Sequence, residues 1–359
     1  MAILFNLLFF FVPIVLYPYS YELFEFNKIV FVYTLTALIS ASWVIRMILQ
    51  KRIIFRHTIF DIPLLLFLAS QFLSVIFSID VRTSILGYYS RFHGGFFSTA
   101  SYSLLFWAFV SNMDKEKTLK AIRFLLFSGV FVAIYGVLQH FGIDKDVWVQ
   151  DVQNRVFSSL GQPNWLAAWI VALLPISWAL YVNSREKGKN FWRWLGVSAL
   201  YILTLSYSKS RSGLLGLAAV AAIFWGVNFF KNSFLLLGLS IFLIFAGGTP
   251  WTPNLEQLVT RGVQRKTPEV RGPALETGGT ESGTIRKIVW KGAIDVWRHY
   301  PLVGSGVETF AFSYYQFRPA DHNLVSEWDF LYNKAHNELL NILATTGILG
   351  LGAYLYFSA

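Results

Sequence analysis

The sequence predicts an all-α, polytopic integral membrane protein, and three observations predict it. Apolar residues make up 55% of the chain and charged residues only 14%, where soluble domains usually carry about 25% charge. Mean hydropathy is +0.50. The apolar residues are also gathered into runs close to the roughly 20 residues that a membrane helix needs. Aromatic residues, at 18% of the chain, suit belts at two membrane interfaces.

Taken in order, about ten runs meet that ruler: 2–17, 29–49, 60–77, 96–111, 121–141, 165–183, 194–206, 213–230, 233–247 and 337–357. The first lacks a basic leader and a small-residue cleavage site, so it reads as a retained span and not a signal peptide. Residues 1–246 are then a membrane domain of nine spans, 247–335 one long loop with helices, and 336–359 the last span. Within the long loop, 266–284 is rich in Gly, Pro, Thr and Glu and reads as a mobile connection.

Basic residues set the orientation. With the N-terminus inside, the inner loops hold Lys51, Arg52, Arg56, Lys115, Lys117, Lys120, Arg123, Arg185, Lys187, Lys189, Arg193 and Lys231. The short outer loops hold fewer: Lys28, Arg82, Arg91, Lys145, Arg155, Lys209 and Arg211. This bias puts 247–335 and the His336 end of the last span on the outer face. The net charge of +10 is dispersed between apolar runs, which fits membrane topology and anionic lipid or phosphate better than nucleic acid. The chain has no cysteine, so neither a disulfide framework nor a thiol nucleophile is available to it.

Arginines on outer loops run against the positive-inside trend, and four of them ask for a reason. Arg91 lies in Gly87-Tyr-Tyr-Ser-Arg91-Phe-His-Gly94-Gly95; Arg155 precedes Gly161-Gln162-Pro163-Asn164; Arg211 sits in Ser208-Lys209-Ser210-Arg211-Ser212-Gly213; Arg286 lies in the long loop. Arginine stays charged and offers a planar fork of donors matched to phosphate oxygens. Arg211 and Ser212 stand where a helix begins, an end that favours anions. The competing reading is that these arginines snorkel from helix ends to lipid headgroups. On a helix over Thr284–Arg298, at about 100° per residue, Lys287, Lys291 and Arg298 share one side with Asp295. Arg286 falls on the apolar arc in line with Trp290 and Trp297, so it is expected to face inward and to need a partner.

His336 and Asn337 stand at the mouth of the last span, and Gly347-Ile348-Leu349-Gly350 follows about three turns on. A histidine is a poor anchor there and a useful base, since its ordinary pKa near 6.5 puts its charge under local control. The glycines are expected to let neighbouring helices approach closely. The remaining histidines are weaker candidates: His57 is in an inner loop, His140 is an interface residue, and His299 and His322 lack metal-ligand spacing. Asp144-Lys145-Asp146 is a short Asp-x-Asp pattern of the kind that arises easily by chance.

The His336-Asn337 and Ser210-Arg211-Ser212-Gly213 segments, with the loops around Arg91, Arg155 and Arg286, resemble the O-antigen ligase and O-antigen polymerase family of bacterial membrane glycosyltransferases over roughly residues 85–357. The resemblance implies a GT-C-like enzyme of lipopolysaccharide or polysaccharide assembly in the bacterial cytoplasmic membrane, with its active site on the periplasmic face. It implies a polyprenyl-pyrophosphate-linked glycan as donor and a glycan, lipid or protein as acceptor; with arginines to supply the positive charge, no metal or other cofactor is expected. Arg211 and Arg286 would then hold the pyrophosphate and His336 would take the acceptor proton. Arg91, Arg155, Lys209 and Asn164 would seat the donor, with Asn337, Ser212 and Trp290 in support. Family members usually continue beyond a tenth span, so the chain reads as truncated after it. Ligase and polymerase are not separable in the sequence. A multipass anion transporter is the competing class, but such proteins place ionisable residues near the bilayer midplane, and here they gather at one face.

Overall fold

The computed structural model describes residues 1–20, 22–184, 188–227, 233–250 and 280–359. All the elements formed by these residues are helices. In chain order they are α1 (Ala2–Phe11), α2 (Glu25–Gln50), α3 (Asp61–Ile76), α4 (Val81–Leu86), α5 (Phe96–Asn112), α6 (Lys115–His140) and α7 (Pro163–Val182). Then come α8 (Lys189–Ser208), α9 (Arg211–Val227), α10 (Ser233–Gly247), α11 (Ser282–His299), α12 (Phe310–Phe317) and α13 (Glu338–Ser358). Short 3₁₀ turns stand at Ser158–Leu160 and Ala320–Leu324.

A helix occupies each apolar run, but among the described residues four helices are long and apolar enough to cross a membrane: α2, α6, α7 and α13. The first run shows why some fall short. Its helix ends at Phe11 and not at residue 17, because Pro13 supplies no N–H and its ring crowds the preceding turn. Arg185, Lys187 and Lys231, used above for orientation, lie outside the described residues, as do 266–279 of the expected mobile connection and the rest of 251–279.

The helices form two compact units. One takes the described residues of 29–112 and 280–359; the other takes those of 2–28 and 113–250. In the first, α13 packs along α3 and α11 packs on α12 and α13. Ile285, Val289, Val296, Phe310 and Tyr314 form a buried cluster there. In the second, α6, α7, α8 and α9 surround Leu166, Ile170, Trp178, Tyr181, Tyr201 and Leu205. Tyr201 donates to the Leu126 carbonyl at 2.5 Å, so a phenol inside the bundle keeps a partner, as apolar surroundings require.

Gly347 corrects one expectation. It is not a contact point between straight helices but a break in α13, with φ +65°. Residues 301–306 fill the break: Ile348 N–H donates to the Pro301 carbonyl at 2.9 Å, Ser305 N–H to Ala344 at 3.0 Å and Gly306 N–H to Thr345 at 2.9 Å. A Cβ on Gly347 would stand 2.3 Å from the Leu302 carbonyl oxygen, so glycine is needed on both counts.

Candidate functional site

The candidate residues divide between the units. Arg91, Arg286, Trp290, His336 and Asn337 belong to the first; Arg155, Asn164, Lys209, Arg211 and Ser212 belong to the second.

In the first unit the segment before α13 carries His336 at φ +52°, a left-handed backbone that side chains rarely adopt. Such a residue costs of order 1–3 kcal/mol and persists only where its surroundings dictate it. Three bonds do so here. Trp290 of α11 donates its indole N–H to the Ala335 carbonyl at 3.0 Å. The Asn341 side chain accepts the Ala335 N–H at 3.2 Å. Asn337 caps α13, its side chain accepting the Leu340 N–H at 3.3 Å. Trp290 and Asn337, expected as supporting residues, therefore fix the backbone on either side of His336.

The imidazole leans edge-on against Tyr332, 5.5 Å between ring centres and 89° between planes. Desolvation and then the Arg286 guanidinium hold the His336 pKa below its ordinary value, against an opposing pull from Glu327. A neutral imidazole at neutral pH is the form that accepts a proton. Tyr332 donates to the Glu327 carboxylate; burial first, then that carboxylate, push its phenol well above the usual range. His322 is fully buried between the Tyr314 hydroxyl at 2.5 Å and the Glu327 carbonyl at 3.1 Å.

Arg286 does not face inward as expected. It is exposed, while the buried stripe of α11 runs through Ile285, Val289, Gly292, Ala293 and Val296. At about 100° per residue that stripe is centred to one side of Arg286. Trp290 and Trp297 are only half-buried and lie at its edge, the Trp290 indole turned to the Ala335 carbonyl. Lys287, Lys291 and Arg298 do face solvent, with Lys291 3.8 Å from Asp321 and Arg298 3.1 Å from Asp295. What distinguishes Arg286 from Lys287 is its electrostatic reach to His336 and Tyr332.

Arg91 lies in a turn, its N–H donating to the Tyr88 carbonyl at 2.9 Å. Its charge, with that of Lys334, opposes protonation of the half-buried His93; burial is the larger cause of that histidine's lowered pKa, and Glu308 acts the other way. Lys334, two residues before His336, pairs with the buried carboxylate of Glu308. Gly94, at φ +89°, makes room for it: a Cβ there would stand 2.7 Å from a Glu308 oxygen. Nothing in the sequence pattern marked His93, Glu308 or Lys334, since an ion pair spanning 26 residues leaves no local signature.

In the second unit Ser210 starts α9. It is fully buried, accepts the Gly213 N–H at 3.1 Å, donates to the Asn164 side chain at 2.8 Å and meets the Ser212 hydroxyl at 3.1 Å. Arg211 and Ser212 are exposed beside it. Lys209, left-handed at φ +45°, donates to Asn154 at 2.7 Å, and Arg155 donates through Nε to the Ser208 carbonyl at 3.3 Å. Burial lowers the pKa of Arg155, and burial followed by repulsion from Arg155 lowers that of Lys209, although Asp151 pulls the other way. Lys209 and Arg155 thus rest on neutral oxygens beside the exposed Arg211 at a helix start, with Asp151 as a partial counter-charge, an arrangement that favours an anion.

The other sequence candidates have structural partners. Asp144 accepts from the Tyr135 hydroxyl and from Trp148 at 2.8 Å. His140 stacks on Tyr207 with ring centres 3.7 Å apart. His57 lies 3.3 Å from Asp61, and His299 packs against Tyr300 and Phe317.

Residues 196–355 match the family model described as O-antigen ligase (Wzy_C). The match takes in Lys209, Arg211, Ser212, Arg286, Trp290, His336 and Asn337, and leaves out Arg91, Arg155 and Asn164. No curated protein matches the chain.

Proposed function

We propose that this protein is a membrane glycosyltransferase of O-antigen biosynthesis that moves a glycan from a polyprenyl-pyrophosphate carrier to an acceptor hydroxyl. The observation that carries the proposal is His336: a residue on a strained, firmly held backbone, its imidazole kept toward the neutral form by burial and the Arg286 charge, inside the stretch that matches the O-antigen ligase family model. His336 accepts the proton of the attacking hydroxyl as the new glycosidic bond forms. Arginine donors stabilise the negative charge that grows on the departing pyrophosphate. Arg286 offers that charge in the first unit, and Arg211, Lys209 and Arg155 offer it in the second. With arginines supplying the positive charge, the reaction needs no divalent metal. Asn164 and Ser212 position Ser210 and the start of α9; Arg91 contributes to seating the donor.

The ten apolar runs are read here as ten spans, with residues 247–335 in the periplasm. A single cysteine introduced at Ser282 is then expected to react with a membrane-impermeant maleimide in intact spheroplasts; labelling only after lysis overturns the orientation.

The function itself is tested with purified protein, a polyprenyl-pyrophosphate glycan and two acceptors, a lipid A core and a second lipid-linked glycan, with product masses as readout. Transfer that persists in excess EDTA is expected. Product on lipid A core identifies a ligase and product on the lipid-linked glycan a polymerase. Absence of both products, or activity lost to EDTA and restored by Mg²⁺, overturns the reading.

A further inference from the structure

A groove of about 500 Å³ runs between α6 and α8, far along both chain segments from the candidate catalytic residues. This volume is in the range of about 300–1,000 Å³ typical of small-molecule sites. Its two walls carry the same polarity pattern. On α6, Lys120 and Arg123 come first and Phe124, Phe127 and Val130 follow; on α8, Arg193 comes first and Trp194 and Val197 follow. The α6 positions recur at helical spacing, so they share one face, and at about 1.5 Å per residue they cover roughly 15 Å of its length.

Cations therefore crowd one end of the groove and the remainder is apolar. No acidic residue among those described lines it. Among the described residues, no carboxylate forms an ion pair with Lys120, Arg123 or Arg193, whereas neighbouring Lys117 is paired with Asp114. Arg193 lies over the Trp194 ring at 4.6 Å, which fixes its guanidinium at the mouth. The apolar wall is open, since Phe127 is 55% exposed. α6 is one of the helices long enough to cross a membrane. A ligand complementary to this pattern has a negative headgroup and a hydrocarbon tail, and the solvent around such a helix supplies one in quantity.

We propose that the α6–α8 groove is a binding site for one anionic diacyl phospholipid, its phosphate held by Lys120, Arg123 and Arg193 and an acyl chain lying along Phe124, Phe127, Val130 and Val197. Basic pockets between membrane helices recognise such headgroups. On the orientation set by the basic residues, the lipid belongs to the cytoplasmic leaflet. The site is thus separate from donor and acceptor chemistry and ties the second unit to the charge of the membrane.

The test is native mass spectrometry of the whole purified chain exposed to equal phosphatidylglycerol and phosphatidylcholine. One retained phosphatidylglycerol per chain is expected. The triple variant Lys120→Gln/Arg123→Gln/Arg193→Gln is expected to weaken that adduct about tenfold or more, and Lys51→Gln/Arg52→Gln/Arg56→Gln, which removes equal charge elsewhere, to leave it unchanged. Val130→Trp keeps the cations and fills the groove; it is expected to displace the lipid too, whereas a site for free phosphate alone retains its anion. If the triple variant does not fold, the three single substitutions replace it, each expected to weaken the adduct several-fold. An absent adduct, equal loss in both triple variants, or undiminished binding in all groove variants overturns the proposal.

Discussion

In the second unit Lys209 and Arg155 rest on an asparagine side chain and a backbone carbonyl; in the first, Lys334 is paired with a buried carboxylate and His336 lies in the opposed fields of Arg286 and Glu327. The difference is one of compensation. Neutral oxygens orient a cation without cancelling its charge, so the cluster around Ser210, with three cations against Asp151, keeps a net attraction for anions. Carboxylates cancel charge, and where cation and anion act on one imidazole they tune its proton affinity. On the proposed function, the second unit holds negative charge and the first moves a proton.

The largest effect is expected at the base. His336→Ala should lose about 10²–10⁴-fold in transfer rate, the usual contribution of general base catalysis, while its amount in the membrane, measured by immunoblot, stays near wild type. Near-full activity leaves His336 as a structural cap and removes the proton-handling half of the comparison.

Next comes Arg286 against Lys287, neighbours that are both basic and both exposed. Arg286→Ala should cost about 10²–10³-fold in kcat, as for loss of one preorganised donor, and Arg286→Lys should be impaired because an ammonium lacks the bidentate fork. Lys287→Ala should be nearly silent. Equal losses at 286 and 287 reduce the effect to general surface charge.

In the second unit, Lys209→Gln and Arg211→Gln should raise donor KM as well as lower kcat. The wild-type KM should rise with ionic strength, and the variants' KM should rise less steeply, because screening weakens only the charges still present. A pure kcat effect with unchanged salt dependence contradicts the anion-holding role.

The smallest effects are the most specific. Arg286 disfavours the imidazolium form, so removing it raises the His336 pKa and moves the acid limb of kcat/KM to higher pH; Glu327 favours it, so Glu327→Gln moves that limb to lower pH. Tyr332→Phe keeps the ring against His336 and frees Glu327 from its hydrogen bond. A pH profile unmoved by all three substitutions means the measured limb is not His336.

Much of this was legible in the sequence, for definite reasons. Apolar runs located the helices because burying backbone polar groups in lipid leaves few other solutions. The Ser210-Arg211-Ser212-Gly213 stretch announced a helix start because serine caps and glycine permits close packing, and Gly213 indeed faces Ala167, whose Cβ would stand 2.5 Å from an added one. Asn337 stands at the mouth of the last apolar run, and it caps the start of α13. The solvent side of α11 followed from the spacing of Lys287, Lys291 and Arg298. Its buried side did not: a wheel that counts tryptophan as fully apolar is pulled toward Trp290 and Trp297, while packing selects the smaller Val289, Gly292, Ala293 and Val296.

Composition and periodicity thus determined that the described residues form helices, roughly where the long apolar ones run, and which residue types can bind an anion or accept a proton. Tertiary structure decided the rest. It made Gly347 a break filled by residues 301–306, paired Glu308 with Lys334, and set Arg286 and Glu327 against each other at His336. These contacts join positions distant in sequence, and helical periodicity reports only which residues share a face, not which distant group will meet it.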